Sequence, residues 1–334
     1  MIIERMSRPL LVAIAAALIA GCGSDKDSSQ SKQADSKPSQ SSNRNTTPAK
    51  GDMSAEEVAK EARGKVKCPA KTKLAKRAAN APVDDVVGVR IGMSYDEAAN
   101  AVMCTHDLLI VGEAGNRGFR IETFGTKLRQ GLVASYAKPR VTQHKTSRDY
   151  MREWQEQSIA RASNRATKRE PGARWFVATM GLPEQEQVIS VYRDEMYEPE
   201  RAPTVDSVRE ALLKKYGTPT FMQDHGTGVS IRWAYDPRGR LITETSPLFH
   251  TCRGAPHIDA GTQTSPDCGI VTEAAVRRAQ DNPGIAADLM VGVTDLGKGY
   301  ELVTETEQAL LRAEEQRRQK QLQDAQQDAV APTL

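Results

Sequence analysis

The sequence predicts an α+β protein: two tandem units of helices packed on a curved antiparallel β-sheet, with a disordered N-terminal tether and a polar C-terminal helix. Three observations carry this. Capping signals open helices at Ser54, Ser94 and Thr204. Strict alternation of apolar and polar residues, clearest at Val229, Ile231, Trp233 and Tyr235, marks half-buried strands. The order of helices followed by strands then recurs, less cleanly, in the second half.

The first unit is expected over 54–142. "SAEEVAKEARGKVKC" begins with Ser54 as N-cap and Glu57 three residues on. "GVRIGMSYDEAANAVMC" repeats the device with Ser94 and Glu97, followed by the apolar stripe Ala98, Ala101 and Val102. Strand-like segments follow at 106–112, 118–124 and 132–137, separated by glycine-bearing turns such as "GEAGNRG".

An insert is expected over 143–174, where basic residues outnumber acidic ones. Tyr150 and Trp154 lie four apart with Met151 beside them, giving a helix one aromatic edge and a basic end. Trp154 is therefore a candidate contact for anionic lipid headgroups or an acidic partner. The alternative packs Tyr150, Met151 and Trp154 on the body and solvates the charges.

The second unit is expected over 175–303. "RWFVATMG" and "VISVYRDEMY" read as strands. In "PTVDSVREALLKKYGTP", Thr204 caps a helix that Gly217 and Pro219 stop, with Val205, Val208 and Leu212 on one face. "HGTG" at His225 reads as a hairpin turn before the alternating strand, and "DPRG" as another after it. "GIAADLMVGVTD" completes the sheet. The tail, 304–334, is rich in Glu, Gln and Arg with sparse Leu and reads as a solvated helix.

The N-terminus sets the expected compartment. Arg5 and Arg8 precede an apolar run from about Leu10 to Ala20, roughly 16 Å as a helix and too short for a bilayer core of about 30 Å. An export signal over 1–21 fits better. The run ends Leu18-Ile19-Ala20-Gly21-Cys22, which resembles a bacterial lipobox with Ile19 in place of the commoner Leu. The resemblance implies cleavage before Cys22 and lipidation of that cysteine. Gly23, where an inner-membrane retention signal would have Asp, points to the outer membrane, facing the periplasm. Residues 22–53 are mostly Ser, Gln, Lys, Asp and Asn, a disordered tether with an r.m.s. reach of about 30 Å.

There are five cysteines, an odd number for an exported chain. Assigning Cys22 to the lipid leaves Cys68, Cys104, Cys252 and Cys268, for which sequential pairing is the simplest of three disulfide connectivities. The rival is a metal site using His250, Cys252, His257 and Cys268, whose spacing matches no common zinc pattern. The net charge of +3 gives no reason to expect nucleic acid. No phosphate-cradling loop, H-E-x-x-H or complete nucleophile elbow is present, so no catalytic residue, metal or cofactor is expected.

"VRIGMSYDEAANAV", residues 89–102, and "VREALLKKYGTPTFMQDHGTGVSIRWAYD", residues 208–236, resemble the BamE (SmpA/OmlA) family of outer-membrane assembly lipoproteins. The tandem order is similar to that of the beta-lactamase inhibitor protein. The first half has "MCTHD" where the family's Gly-x-Pro break would fall, and the second lacks the "GMS" start. The resemblance implies the fold and compartment given above. The functional expectation is a lipid-anchored, non-enzymatic module that binds an envelope protein, as a structural or assembly accessory. Trp233, Tyr235 and Tyr192 are candidate contacts on a concave sheet face, with core packing as their alternative. Other expectations are an inhibitor or immunity-type binder, or a lipid-anchored hydrolase combining His225 or His250 with a nearby Ser and carboxylate.

Overall fold

The computed structural model describes residues 52–115, 118, 120–141, 147–162, 170–254, 258 and 261–327. The signal run, Cys22, the tether to residue 51, His257 and the last residues of the tail lie outside them. All three expected caps form. Ser54 Oγ accepts the Glu57 N–H at 3.2 Å, and Glu57 accepts the Ser54 N–H at 2.7 Å, at the start of α1 (Ala55–Arg63). Ser94 and Glu97 make the same exchange before α2 (Tyr95–Met103), at 3.3 and 2.9 Å. Each exchange satisfies helix-end donors that otherwise have no partner. Thr204 caps α4 (Val205–Tyr216), which ends at Gly217 with φ 80°, a conformation costly for any residue with a Cβ. Between them lies α3 (Ser147–Ala162).

A small hairpin pairs β1 (Asp85–Val86) with β2 (Val89–Arg90). The remaining strands are β3 (Leu109–Glu113), β4 (Gly131–Tyr136), β5 (Gly172–Met180), β6 (Gln187–Met196), β7 (Phe221–His225), β8 (Gly228–Ala234), β9 (Ile270–Arg278) and β10 (Ala286–Asp295). They form one antiparallel sheet in the order β3-β4-β5-β6-β10-β9-β8-β7. The strands of the two expected units lie in a single sheet, joined where β4 pairs with β5 and Leu132 faces Val177, while β6 and β10, both from the second expected unit, pair with Val191 facing Val293 and Ser190 facing Thr294.

Local departures follow from tertiary pairing. Segment 118–124 forms no strand among its described residues. β5 starts inside the expected insert, and α5 (Leu296–Gln327) starts eight residues before the expected tail. The "HGTG" turn does join a hairpin, β7 to β8. At "DPRG" the turn closes through the Gly239 N–H to the Asp236 carbonyl at 2.9 Å, but the returning chain makes only one bridge, Tyr235 to Leu241.

Both faces of the sheet are covered. On the first, α2, α4 and the small hairpin bury a core that includes Trp175, Val191, Ile231, Trp233 and Val293. Full burial of such a side chain stabilises by roughly 1.5–3 kcal/mol. Trp233 Nε1 donates to the Gly217 carbonyl at 2.9 Å, and its ring lies 5.1 Å from that of Tyr216, so it fixes the end of α4. The Tyr216 hydroxyl donates to the Asp85 carbonyl at 3.0 Å, and Lys215 Nζ lies 2.7 Å from the Asp85 carboxylate. Burial alone would raise the Asp85 carboxyl, but Lys215, the Gly88 N–H and Arg77 outweigh it and hold it below its ordinary value.

On the second face, α5 covers Phe176, Met180, Ile189 and Tyr192 with Leu302. The Tyr192 ring occupies the space above Gly292, where a Cβ would collide with it. Trp233 and Tyr192, expected as candidate contacts, are core residues at 1% and 3% exposure. The alternation that marked Trp233 was a burial signal. Trp233→Ala is expected to cost about 3–5 kcal/mol in urea unfolding, while Trp154→Ala on α3 changes stability by less than about 0.5 kcal/mol.

Candidate functional site

The second face also carries charge. Arg174 Nη2 lies 2.8 Å from Asp194 Oδ2 across β5 and β6, and Arg277 Nε lies 2.7 Å from Asp288 Oδ2 across β9 and β10. Both aspartates are buried, and each has its arginine partner. A third juxtaposition of the same kind places Arg232 directly opposite Glu273 across β8 and β9.

This third pair is open. Arg232 is only 6% exposed, yet its guanidinium reaches no acceptor among the described residues, and its Nε is buried without a partner. It lies instead 4.6 Å from the Phe249 ring centre and 5.7 Å from that of Phe221. Such stacking compensates part of the desolvation while leaving the guanidinium's donors unused. Burial pushes the Glu273 carboxyl up to about 7, and Arg232, Gly254 and Arg253 only partly oppose that rise. A buried, unpaired arginine is among the costlier features a fold can keep.

The two groups floor a cavity of about 660 Å³, within the usual range for ligand sites. Phe221 and Gln223 come from β7, Ser230 and Arg232 from β8, and Glu273 and Ala275 from β9. The opposite wall is the long β8–β9 connection, which supplies Phe249, Arg253, Gly254 and Gln263. Ser246 caps the short turn Pro247–Phe249 by accepting the Leu248 N–H at 3.3 Å, which places Phe249 beside Arg232. The Cys252–Cys268 disulfide, with Cα atoms 5.5 Å apart, closes this connection and packs against Ala234, Ile242, Val271 and Leu296. It thereby holds the wall of the cavity against the sheet. Another groove, about 310 Å³, lies between α4 and the small hairpin. It is largely apolar, and its Arg193 and Lys215 are paired with Glu195 and Asp85.

The other sequence-derived candidates are dispersed. Cys68 and Cys104 form the second disulfide, with Cα atoms 5.4 Å apart at the end of α2, so the sequential pairing is present. Its partner bond engages both Cys252 and Cys268, leaving neither thiol for a metal. Tyr235 is half-buried beyond the end of β8. Trp154 is 66% exposed, and Tyr150 and Met151 are exposed to a similar degree, so none of the three is a core residue. His225 ends β7 at the hairpin, and His250 stands edge-on to Phe249 with Nδ1 3.3 Å from Arg253. Among the described residues neither imidazole bonds to a serine hydroxyl or a carboxylate.

Sequence reasoning missed Arg232 and Glu273. The alternation around Trp233 assigned Ser230 and Arg232 to a solvated face, whereas the connection carrying Phe249 folds over it. The available signals were an arginine between Ile231 and Trp233, and an aromatic residue three positions before a bridged cysteine.

The raised Glu273 carboxyl makes stability depend on pH. Its ordinary value is 4.5 and its folded value about 7. Between them the folded chain holds a proton that the unfolded chain has lost, so this contribution is full below about pH 4.5 and disappears as pH rises through 7. Urea unfolding at about pH 5 and about pH 8 is expected to differ by about 2 kcal/mol more in the wild type than in Glu273→Gln, with the wild type weaker at the higher pH. No protein-family model, curated protein or solved structure matches the chain, so its function must be argued from the geometry around Arg232.

Proposed function

We propose that the protein is a lipid-anchored binding module of the bacterial envelope, held through Cys22 at the periplasmic face of the outer membrane and working by recognition, not catalysis. The observation that carries this is the open Arg232 in a walled cavity, a buried charge left for an external partner to satisfy. The lipobox-like Leu18–Cys22 supports the anchor, and two disulfides fit an oxidising compartment. The sheet order supports descent from a tandem unit, since α2 precedes β3–β6 and α4 precedes β7–β10. That order agrees with the resemblance to the BamE family and the beta-lactamase inhibitor protein. An envelope protein docking over the β7–β9 end of the second face is the partner this reading favours. The histidine placements give the hydrolase alternative no support.

Two measurements test the proposal. Intact-mass analysis of the mature chain is expected to find it beginning at an acylated Cys22, with Cys22→Ser released from the membrane fraction. Membrane retention of that variant would defeat the anchor. A photo-crosslinking residue at Gln223 or Gln263, on the cavity rim, is expected to capture a discrete partner in intact cells. Capture should be absent at exposed Glu210 on the other face and lost when Arg232→Met is added. Equal capture at all three positions, or none at the rim, would remove the recognition surface.

A further inference from the structure

We propose that the cavity floored by Arg232 and Glu273 is a binding site for a carboxylate group, with Arg232 making a forked pair to it and Arg253 adding charge at the rim. This deepens the recognition reading above and rests on it. Three observations select the chemistry.

The first is the comparison among cross-strand pairs. Arg174 and Arg277 each meet a carboxylate across a strand pair. Arg232 has the same placement relative to Glu273, but among the described residues no hydrogen bond or ion pair joins the two and the guanidinium is left open. What Arg232 lacks is therefore the group its two neighbours on this face possess. The second is shape. The guanidinium, its Cζ 4.6 Å from the Phe249 ring centre, is planar and carries paired donors that match the two oxygens of a carboxylate.

The third is charge. One buried cation balances one negative charge. A dianion such as phosphate would meet Glu273 directly opposite Arg232 and be repelled once that acid ionises. A monoanion can instead share the Glu273 proton, and the raised carboxyl keeps that proton available near neutral pH. Ser230, Gln223 and Gln263 line the same space and supply neutral donors. The carboxylate could arrive on a free small acid or at the end of a polypeptide, and the chemistry at Arg232 is the same for both.

The test is calorimetric titration of the full-length purified protein with benzoate, benzamide, inorganic phosphate, acetyl-Ala-Ala and the amide of that peptide. Benzoate or the free-acid peptide is expected to bind saturably with a millimolar or tighter Kd. The two amides and phosphate should each bind at least tenfold more weakly. The tighter of the two acids identifies the source, and either supports the assignment.

Arg232→Met should lose at least tenfold in affinity, and circular dichroism reports whether it stays folded. Arg253→Gln, at an exposed position, should lose several-fold without affecting the fold. Wild-type affinity should fall as pH rises through 7, and that of Glu273→Gln should not. Amides binding as well as acids, phosphate binding more tightly, or Arg variants binding like the wild type would each overturn the assignment, as would no saturable acid binding at about 10 mM. If the acids fail while rim crosslinks at Gln223 persist, the carboxylate assignment falls and the recognition surface stands. If the crosslinks fail too, both fall.

Discussion

The pairing of β6 with β10 is the constraint on which the rest of the structure depends. It joins two four-strand meanders into one sheet and places both strands in the interior. At their contact, Val191 and Val293 serve the first face, while Ser190 and Tyr192 meet Thr294 on the second through hydroxyl contacts of 2.7 and 3.0 Å. Polar groups buried there must find partners within the sheet, because solvent is excluded from both sides. The Ser190–Tyr192–Thr294 network meets that requirement, and Gly292 leaves room for the Tyr192 ring.

The same requirement governs charge. Where the β8–β9 connection covers the second face, a buried arginine needs either a carboxylate or an opening, and the buried aspartates beside the more exposed Arg174 and Arg277 need a cation. Arg174 and Arg277 have carboxylates. Arg232 has two aromatic rings and a cavity, and makes no ion pair with the acid opposite it. The Cys252–Cys268 bond sustains that arrangement, since it holds the segment bearing Phe249, Arg253 and Gly254 against the sheet. A disulfide read from cysteine parity alone is thus part of the construction of the site.

Much of the fold was legible from local chemistry. The caps at Ser54, Ser94 and Thr204, the stop at Gly217, the β8 alternation and the cysteine pairing are all short-range or combinatorial signals. The union of the two expected units was not legible, because β4 pairs with β5 across the expected insert and nothing local marks which strands meet. The site was obscured for a related reason. An alternating strand shows that two faces differ, but not that a distant connection will cover the polar one. Arg232 therefore read as solvated, and Trp233, its buried neighbour, drew attention as a contact. The exposure of Tyr150, Met151 and Trp154 on α3 is the opposite case, an aromatic edge that stays largely in solvent.

The central claim is that Arg232 is held open for an external carboxylate. The most direct measurement is a crystal structure of the protein soaked with 4-bromobenzoate, using anomalous scattering to locate bromine. The account requires bromine within the cavity between Phe249 and Gln223, with the carboxylate paired to Arg232. An Arg232 closed onto Glu273 in the crystal, or bromine bound only elsewhere, would contradict it.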